Sequence, residues 1–156
     1  MRTKGLLIIA LGVAAALVLG TALAQAPTIT GGLLARGKVG RLNARNGGVV
    51  VRRKVGSADV AVARFAFQPG SSSGWHTHPG VLLITVKSGA IQLVNYQCRK
   101  KVYRKGQSFV EAGQNILARN RGNKKAVVLV TFIIRSKVPS SRLTIPVNPP
   151  QGCRAR

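Results

Sequence analysis

Hydrophobic and polar positions follow a period of two along much of this chain, the repeat of strands rather than helices. In 60–67, Val60, Val62, Arg64 and Ala66 alternate with Ala61, Ala63, Phe65 and Phe67, which predicts a long strand. On it Arg64 points either into a barrel or, if the strand lies at an edge, into water. The β-branched run 81–87, the turn Ser88-Gly89 and the stretch 90–95 read as two adjacent strands joined in a hairpin. The run 126–134, apolar but for Thr131, ends at Arg135, which predicts a strand covered on both faces. Shorter strands are expected over 49–54, 108–111, 116–119 and 142–147, the last stopped by Asn148-Pro149-Pro150. The segment 96–103 reads as a loop or a weakly paired strand. Beyond residue 24 nothing keeps a helical period over three turns, so the expected class is all-β, a sandwich or barrel in one domain.

The first residues break this pattern. Arg2 and Lys4 precede an unbroken apolar segment, 6–19, and small residues at Ala22 and Ala24. These are the three parts of a secretory signal. As a helix the apolar segment reaches only about 21 Å, short of the ~30 Å hydrocarbon core, so a cleaved signal helix over 1–24 is the first reading and a retained N-terminal membrane anchor the second. Both place the domain outside the cytoplasm. Residues 25–37, with Pro27, Gly31 and Gly32, read as a linker arm, 38–148 as the barrel, and 149–156 as a basic tail. Cys98 and Cys153 make an even count in a chain bound for an oxidising compartment, which predicts a disulfide. Closing a loop of that length constrains the unfolded chain by ~4 kcal/mol in the entropy model.

Candidate chemistry concentrates in GSSSGWHTHPG, residues 70–80. His76 and His78 are the only histidines, and at i and i+2 of a strand both imidazoles face one side. Here the chain resembles the cupins. That family's first motif is Gly, five residues, His-x-His, a Glu after three or four more, and Gly after six; Gly70, His76, His78 and Gly89 fall in those places, with Leu82 in the glutamate place. A looser match to the second motif runs over 106–120: Gly106, Gly113 and Asn120 fit, while Ala112 stands near the proline place and Ile116 in the histidine place. The resemblance implies a conical jelly-roll barrel whose motifs face one cavity. It also implies a divalent metal, zinc, iron or manganese, held in the family by three histidines and a glutamate.

Two of those four ligands are replaced. Glu111 shares a strand face with Phe109 and would complete a His-His-Glu set if the Gly113 turn swings it inward; Gln92 and Gln114 are weaker oxygen donors. Without such help two imidazoles hold a cation only loosely. His76 and His78 are therefore either metal ligands or hydrogen-bonded lining of a pocket that takes an organic molecule. Leu82 and Ile116 are expected to line that pocket, with Arg64; Trp75 is either a pocket wall or core. Asn120 is read as tying down the turn before the next strand. A Ser-His-Asp arrangement is excluded at the histidines, since Asp59 is the sole aspartate and sits far from a serine motif, and neither a phosphate loop nor a dinucleotide fingerprint occurs.

Charge changes the picture of partners. Twenty-five Lys and Arg stand against Asp59 and Glu111, a formal +23, or +21 without Arg2 and Lys4. Such a surface attracts anionic polymers of a cell envelope. With aromatics at 4% the stacking platforms of single-strand binders are scarce, so a specific nucleic-acid partner is not expected. Cupins often pair through edge strands, so a homodimer is implied, against the repulsion of like charge. The expected function is an exported cupin-like domain binding a small molecule in its interior, with metal weak or absent. The alternatives are a metal-dependent enzyme of dioxygenase or isomerase type, and a polycationic envelope-associated protein.

Overall fold

The computed structural model describes residues 26–53 and 56–153; the signal helix expected over 1–24 lies outside them. Among the described residues the architecture is all-β. Twelve strands are formed: β1 (Ile29–Gly40), β2 (Asn43–Asn46), β3 (Val49–Arg52), β4 (Ala58–Phe67), β5 (Ser72–Thr77), β6 (Gly80–Ser88), β7 (Ala90–Asn95), β8 (Lys100–Arg104), β9 (Ser108–Ala112), β10 (Ile116–Arg119), β11 (Ala126–Arg135) and β12 (Ile145–Pro146). They build two five-stranded antiparallel sheets, ordered β1-β4-β11-β6-β9 and β12-β5-β10-β7-β8, with β2 and β3 as a separate ribbon. The sheets face one another as a jelly-roll barrel. Its core joins Ala61, Leu82, Val86, Val130 and Phe132 of the first sheet to Ile91 and Ala118 of the second. Burying each larger aliphatic or aromatic side chain there contributes about 1.5–3 kcal/mol.

Four expectations are corrected. The stretch read as an arm is mostly strand: β1 pairs with β4 from Ile29 opposite Phe67 to Gly40 opposite Ala58. Its glycines misled, because Gly31 serves close backbone approach rather than a loop; a Cβ there would lie 2.0 Å from the Arg64 carbonyl oxygen. Second, β6 and β7 are not a hairpin, since they belong to different sheets. The chain turns the corner at Gly89, with φ +70° and its Cα packed so tightly that a Cβ would meet the Ala126 Cα at 2.8 Å. Third, β11 is fully covered on one face only: Val128, Val130, Phe132 and Ile134 are buried, whereas on the outer side Val127 is buried and Leu129, Thr131 and Ile133 are half-buried. Fourth, the strand expected over 142–147 is a short 3-10 turn, Ser140–Arg142, followed by the two-residue β12. The weakly paired reading of 96–103 matches β8, an edge strand against β7.

One end of the barrel is pinned by a charged cluster. Arg36 donates to Asp59 Oδ2 from Nε (2.9 Å) and Nη2 (2.6 Å), and from Nη1 to the Val138 carbonyl (2.7 Å); Ser136 Oγ donates to Asp59 Oδ1 (2.5 Å). The Ser136 hydrogen bond and then Arg36 hold the Asp59 carboxyl below its usual range. Asn120 does tie down its turn: Nδ2 donates to the carbonyls of Phe67 (3.0 Å) and Lys124 (2.8 Å), and Oδ1 accepts from Gly122 N–H (2.9 Å).

Candidate metal centre

The site follows from strand parity. Along β5 Trp75 turns outward, where it packs with Val94, Leu117 and Cys153, and His76 turns inward. His78, two residues on, faces the same interior with its ring centroid 4.8 Å from that of His76 and the rings nearly perpendicular, at 83°. Phe132 of β11 meets the His78 ring edge at 5.8 Å between centroids. Glu111 comes inward from β9 beside Phe109 by ordinary alternation, so no swing of the Gly113 turn is needed. Its Oε2 lies 3.2 Å from His78 Nε2.

All three side chains are buried, and one ligand atom from each falls within 4.8 Å of the others. Ligand distances of ~2.0–2.2 Å at the tetrahedral angle put two ligands about 3.3–3.6 Å apart, so the His78–Glu111 pair at 3.2 Å already fits and the widest pair must close by about 1 Å on binding.

The backbone decides which nitrogens are available. His76 Nδ1 lies 3.0 Å from the Gly74 carbonyl oxygen, and His78 Nδ1 lies 2.5 Å from that of Leu143. A carbonyl only accepts, so both Nδ1 atoms carry hydrogen and donate, which leaves both Nε2 atoms to a cation once any hydrogen that His78 Nε2 shares with Glu111 has left. Burial holds the His76 imidazole below its usual range; the Gly74 hydrogen bond and the Glu111 charge oppose that shift and His78 adds to it. Two imidazole lone pairs and a carboxylate thus meet in an apolar interior. That donor set fits a divalent cation, and the Nδ1-to-carbonyl bonds are the orienting contacts metal-ligating histidines make.

Around the cluster lies a cavity of about 240 Å³, lined by apolar side chains including Phe65, Phe67, Ile91 and Phe109, with Ser73 and Thr144 as further polar groups. Among the described residues no Lys or Arg lines it.

The remaining expected site residues divide. Leu82 lines the cavity, and its Cα partner across β6 and β9 is Glu111. The motif's carboxylate has in effect moved one strand sideways. Ile116 is buried directly opposite His76 in the register yet does not line the cavity. Trp75 is core on the outer side of its sheet rather than a pocket wall, because residue parity opposes it to His76. Arg64 is neither in the barrel nor at an edge: β4 runs between β1 and β11, and Arg64 stands half-buried on the outer face, between Gly32 and Leu129. Cys98 and Cys153 are bonded, with Cα atoms 5.3 Å apart. Sequence reasoning missed Leu143 and Thr144, whose only distant signal was that cysteine pair, which obliges the C-terminal segment to return to the barrel.

Among the described residues no helix is long and apolar enough to cross a membrane. A family model described as cupin domain matches residues 63–132, which include both histidines and Glu111. No curated protein matches the chain. Among solved structures it is similar to an oxalate oxidase (24% identity over 56% of this chain and 46% of that one, TM-score 0.46). It is also similar to a sugar phosphate isomerase of the cupin superfamily from Silicibacter pomeroyi (23% identity, 49% and 51% covered, TM-score 0.44) and to a polyketide cyclase from Streptomyces resistomycificus (18%, 60% and 64%, TM-score 0.48). The chain spans about half the length of the first two, at 46% and 51%. With its motif spacing, its two facing sheets and the match over 63–132, the protein carries a cupin domain.

Proposed function

We propose that the protein holds one divalent cation on His76, His78 and Glu111 and presents it to a small, largely apolar molecule in the barrel, as a metal-dependent enzyme of the exported class. The observation that carries this reading is the convergence of two Nε2 lone pairs and a buried carboxylate on one point. A third ligand removes the ground for expecting metal to be weak or absent. Two imidazoles and one carboxylate are the donor set of non-haem iron(II) sites, and also suit manganese and zinc. A cation so held keeps open positions and supplies Lewis-acid polarisation of a bound oxygen donor.

The chain's own residues define what enters. A dicarboxylate or a sugar phosphate would find the cation as its only counter-charge and no cationic side chain beyond it, whereas an aromatic or branched aliphatic body fits against Phe65, Ile91 and Phe109. The favoured class is thus a neutral molecule with one or two oxygen donors at one end. Thr144 is the polar group left to orient it, since the Ser73 hydroxyl donates to the Gly74 carbonyl (2.9 Å) and accepts from Ala118 N–H (3.0 Å). The disulfide supports an extracytoplasmic location.

Calorimetric titration of metal-free protein with Zn2+ or Mn2+ tests the reading. One equivalent should bind in the wild type and at least about 100-fold more weakly in His76→Ala, and catechol should perturb the loaded protein. Absence of saturable binding in the wild type overturns it.

A second reading concerns the surface. Asp59 and Glu111 are both buried, so no acidic side chain intersperses the exposed cations, and Asp59 already has Arg36. That favours retention on an anionic envelope polymer. Retention on such a polymer should fall steeply with salt; binding unchanged by salt contradicts it.

A further inference from the structure

The stretch from Leu143 to Val147 follows the histidine strand almost residue by residue. The Leu143 carbonyl accepts from His78 Nδ1, Thr144 lines the cavity, Ile145 and Pro146 stand opposite Thr77 and His76, and Val147 N–H donates to the Trp75 carbonyl at 3.0 Å. Six residues on, Cys153 is bonded to Cys98, which follows β7 in the same sheet. By itself this segment is a poor strand. It pairs over only two residues, at a sheet edge, and Pro146, Pro149 and Pro150 give no backbone N–H to a ladder.

The His76 imidazole takes its orienting contact elsewhere, although its backbone stands opposite Pro146. Its Nδ1 is oriented by Gly74, within its own strand. His78 is the opposite case: it lies beyond the end of β5, and its orienting acceptor is 65 residues away in sequence.

We propose that 143–153 is a positioning strap for the metal centre, latched by the Cys98–Cys153 disulfide. It fixes the Nδ1–H tautomer of His78 and so turns His78 Nε2 toward Glu111 and the cation. Leu143 and Cys153 are then positioning residues for one ligand of the two imidazoles. The effect on metal affinity rests on the metal-site reading above; the effect on His78 itself does not.

The test uses the full domain with both cysteines changed, Cys98→Ser with Cys153→Ser, and separately Val147→Pro, which keeps the disulfide and removes the hydrogen bond to Trp75. Long-range 1H–15N correlation spectra report the tautomer of each imidazole in metal-free protein, and calorimetry reports Zn2+ affinity. In both variants His78 should lose the hydrogen on Nδ1 and keep Nε2–H on the Glu111 carboxylate, while His76 keeps its Nδ1–H form. Zn2+ affinity should fall about 10–100-fold, the usual result of losing an outer contact to a ligand.

A general loosening of the barrel would move both histidines, and that outcome overturns the proposal. So does a His78 that stays Nδ1–H with Zn2+ affinity within about twofold of wild type. If the double serine variant does not fold, Val147→Pro decides by the same readouts. If wild type binds no Zn2+, the metal-site reading falls, and the His78 tautomer alone decides the strap.

Discussion

Leu82 and Glu111 stand directly opposite one another on β6 and β9, so exchanging them should move the carboxylate one strand without changing the volume of the pair. Three variants define the experiment. Glu111→Leu removes one of three ligands; since losing even an outer contact costs about 10–100-fold in metal affinity, about 100-fold is the floor for this change. Leu82→Glu places a second carboxylate beside the first. Directly paired residues have Cβ atoms ~4.5–5.5 Å apart, and two charges at about 5 Å with an effective dielectric of ~20 repel by ~3 kcal/mol. Leu82 is 1% exposed, so the burial it forfeits adds about 1.5–3 kcal/mol. Protonation of one carboxyl relieves part of that total, leaving an expected loss of ~3–5 kcal/mol in metal-free protein, a large share of an ordinary domain's stability. The exchange Leu82→Glu with Glu111→Leu removes the repulsion and keeps one carboxylate beside His78. Its stability should return to within about 1.5 kcal/mol of wild type, the usual limit for volume-conserving swaps, and its Zn2+ affinity to within about tenfold. Urea unfolding and Zn2+ calorimetry on the four proteins read both quantities. A folded double variant that binds Zn2+ no better than Glu111→Leu would refute the claim that the carboxylate has shifted sideways within one site.

Asn120→Ala should destabilise the barrel by ~2–4 kcal/mol in urea unfolding, because Asn120 is 1% exposed and the change strands the Phe67 and Lys124 carbonyls and the Gly122 N–H. A loss under about 0.5 kcal/mol would mean water replaces all three contacts. Asp59 has its carboxyl held low in the folded state, so its contribution is fully present above the usual carboxylate range and disappears as pH falls through it. Asp59→Asn should therefore be less stable than wild type at neutral pH, with the difference closing in acid; a difference that does not change with pH counts against the Ser136 and Arg36 contacts as its source.

The residues explain which parts of this account can be read without coordinates. Parity was legible: alternation in 60–67 and around Phe109 and Glu111 grouped residues by face without saying which face is inward, and it put His76 and His78 on one side. Partnership was not. A period of two says which face a residue takes and is silent about which strand lies beside it. Hence 81–87 and 90–95 read as a hairpin although they sit in opposite sheets, and Glu111 seemed to need a special turn although it is simply Leu82's neighbour. Gly31 and Gly32 imitated a loop because glycine marks both flexible chain and tight backbone contact. The acceptor for His78 is a backbone carbonyl, a group every residue owns, so no side-chain pattern announces it. The cysteines were the exception among distant contacts, since the chain has two and each has one possible partner.

The account stands on two imidazoles and one carboxylate closing on a single cation inside the barrel. Pulsed electron paramagnetic resonance of the Cu2+-loaded protein counts coordinated imidazoles directly. Two equatorial imidazoles in wild type, and one in either His76→Ala or His78→Ala, are predicted. A copper signal with no imidazole coupling, or one unchanged by both substitutions, would contradict it.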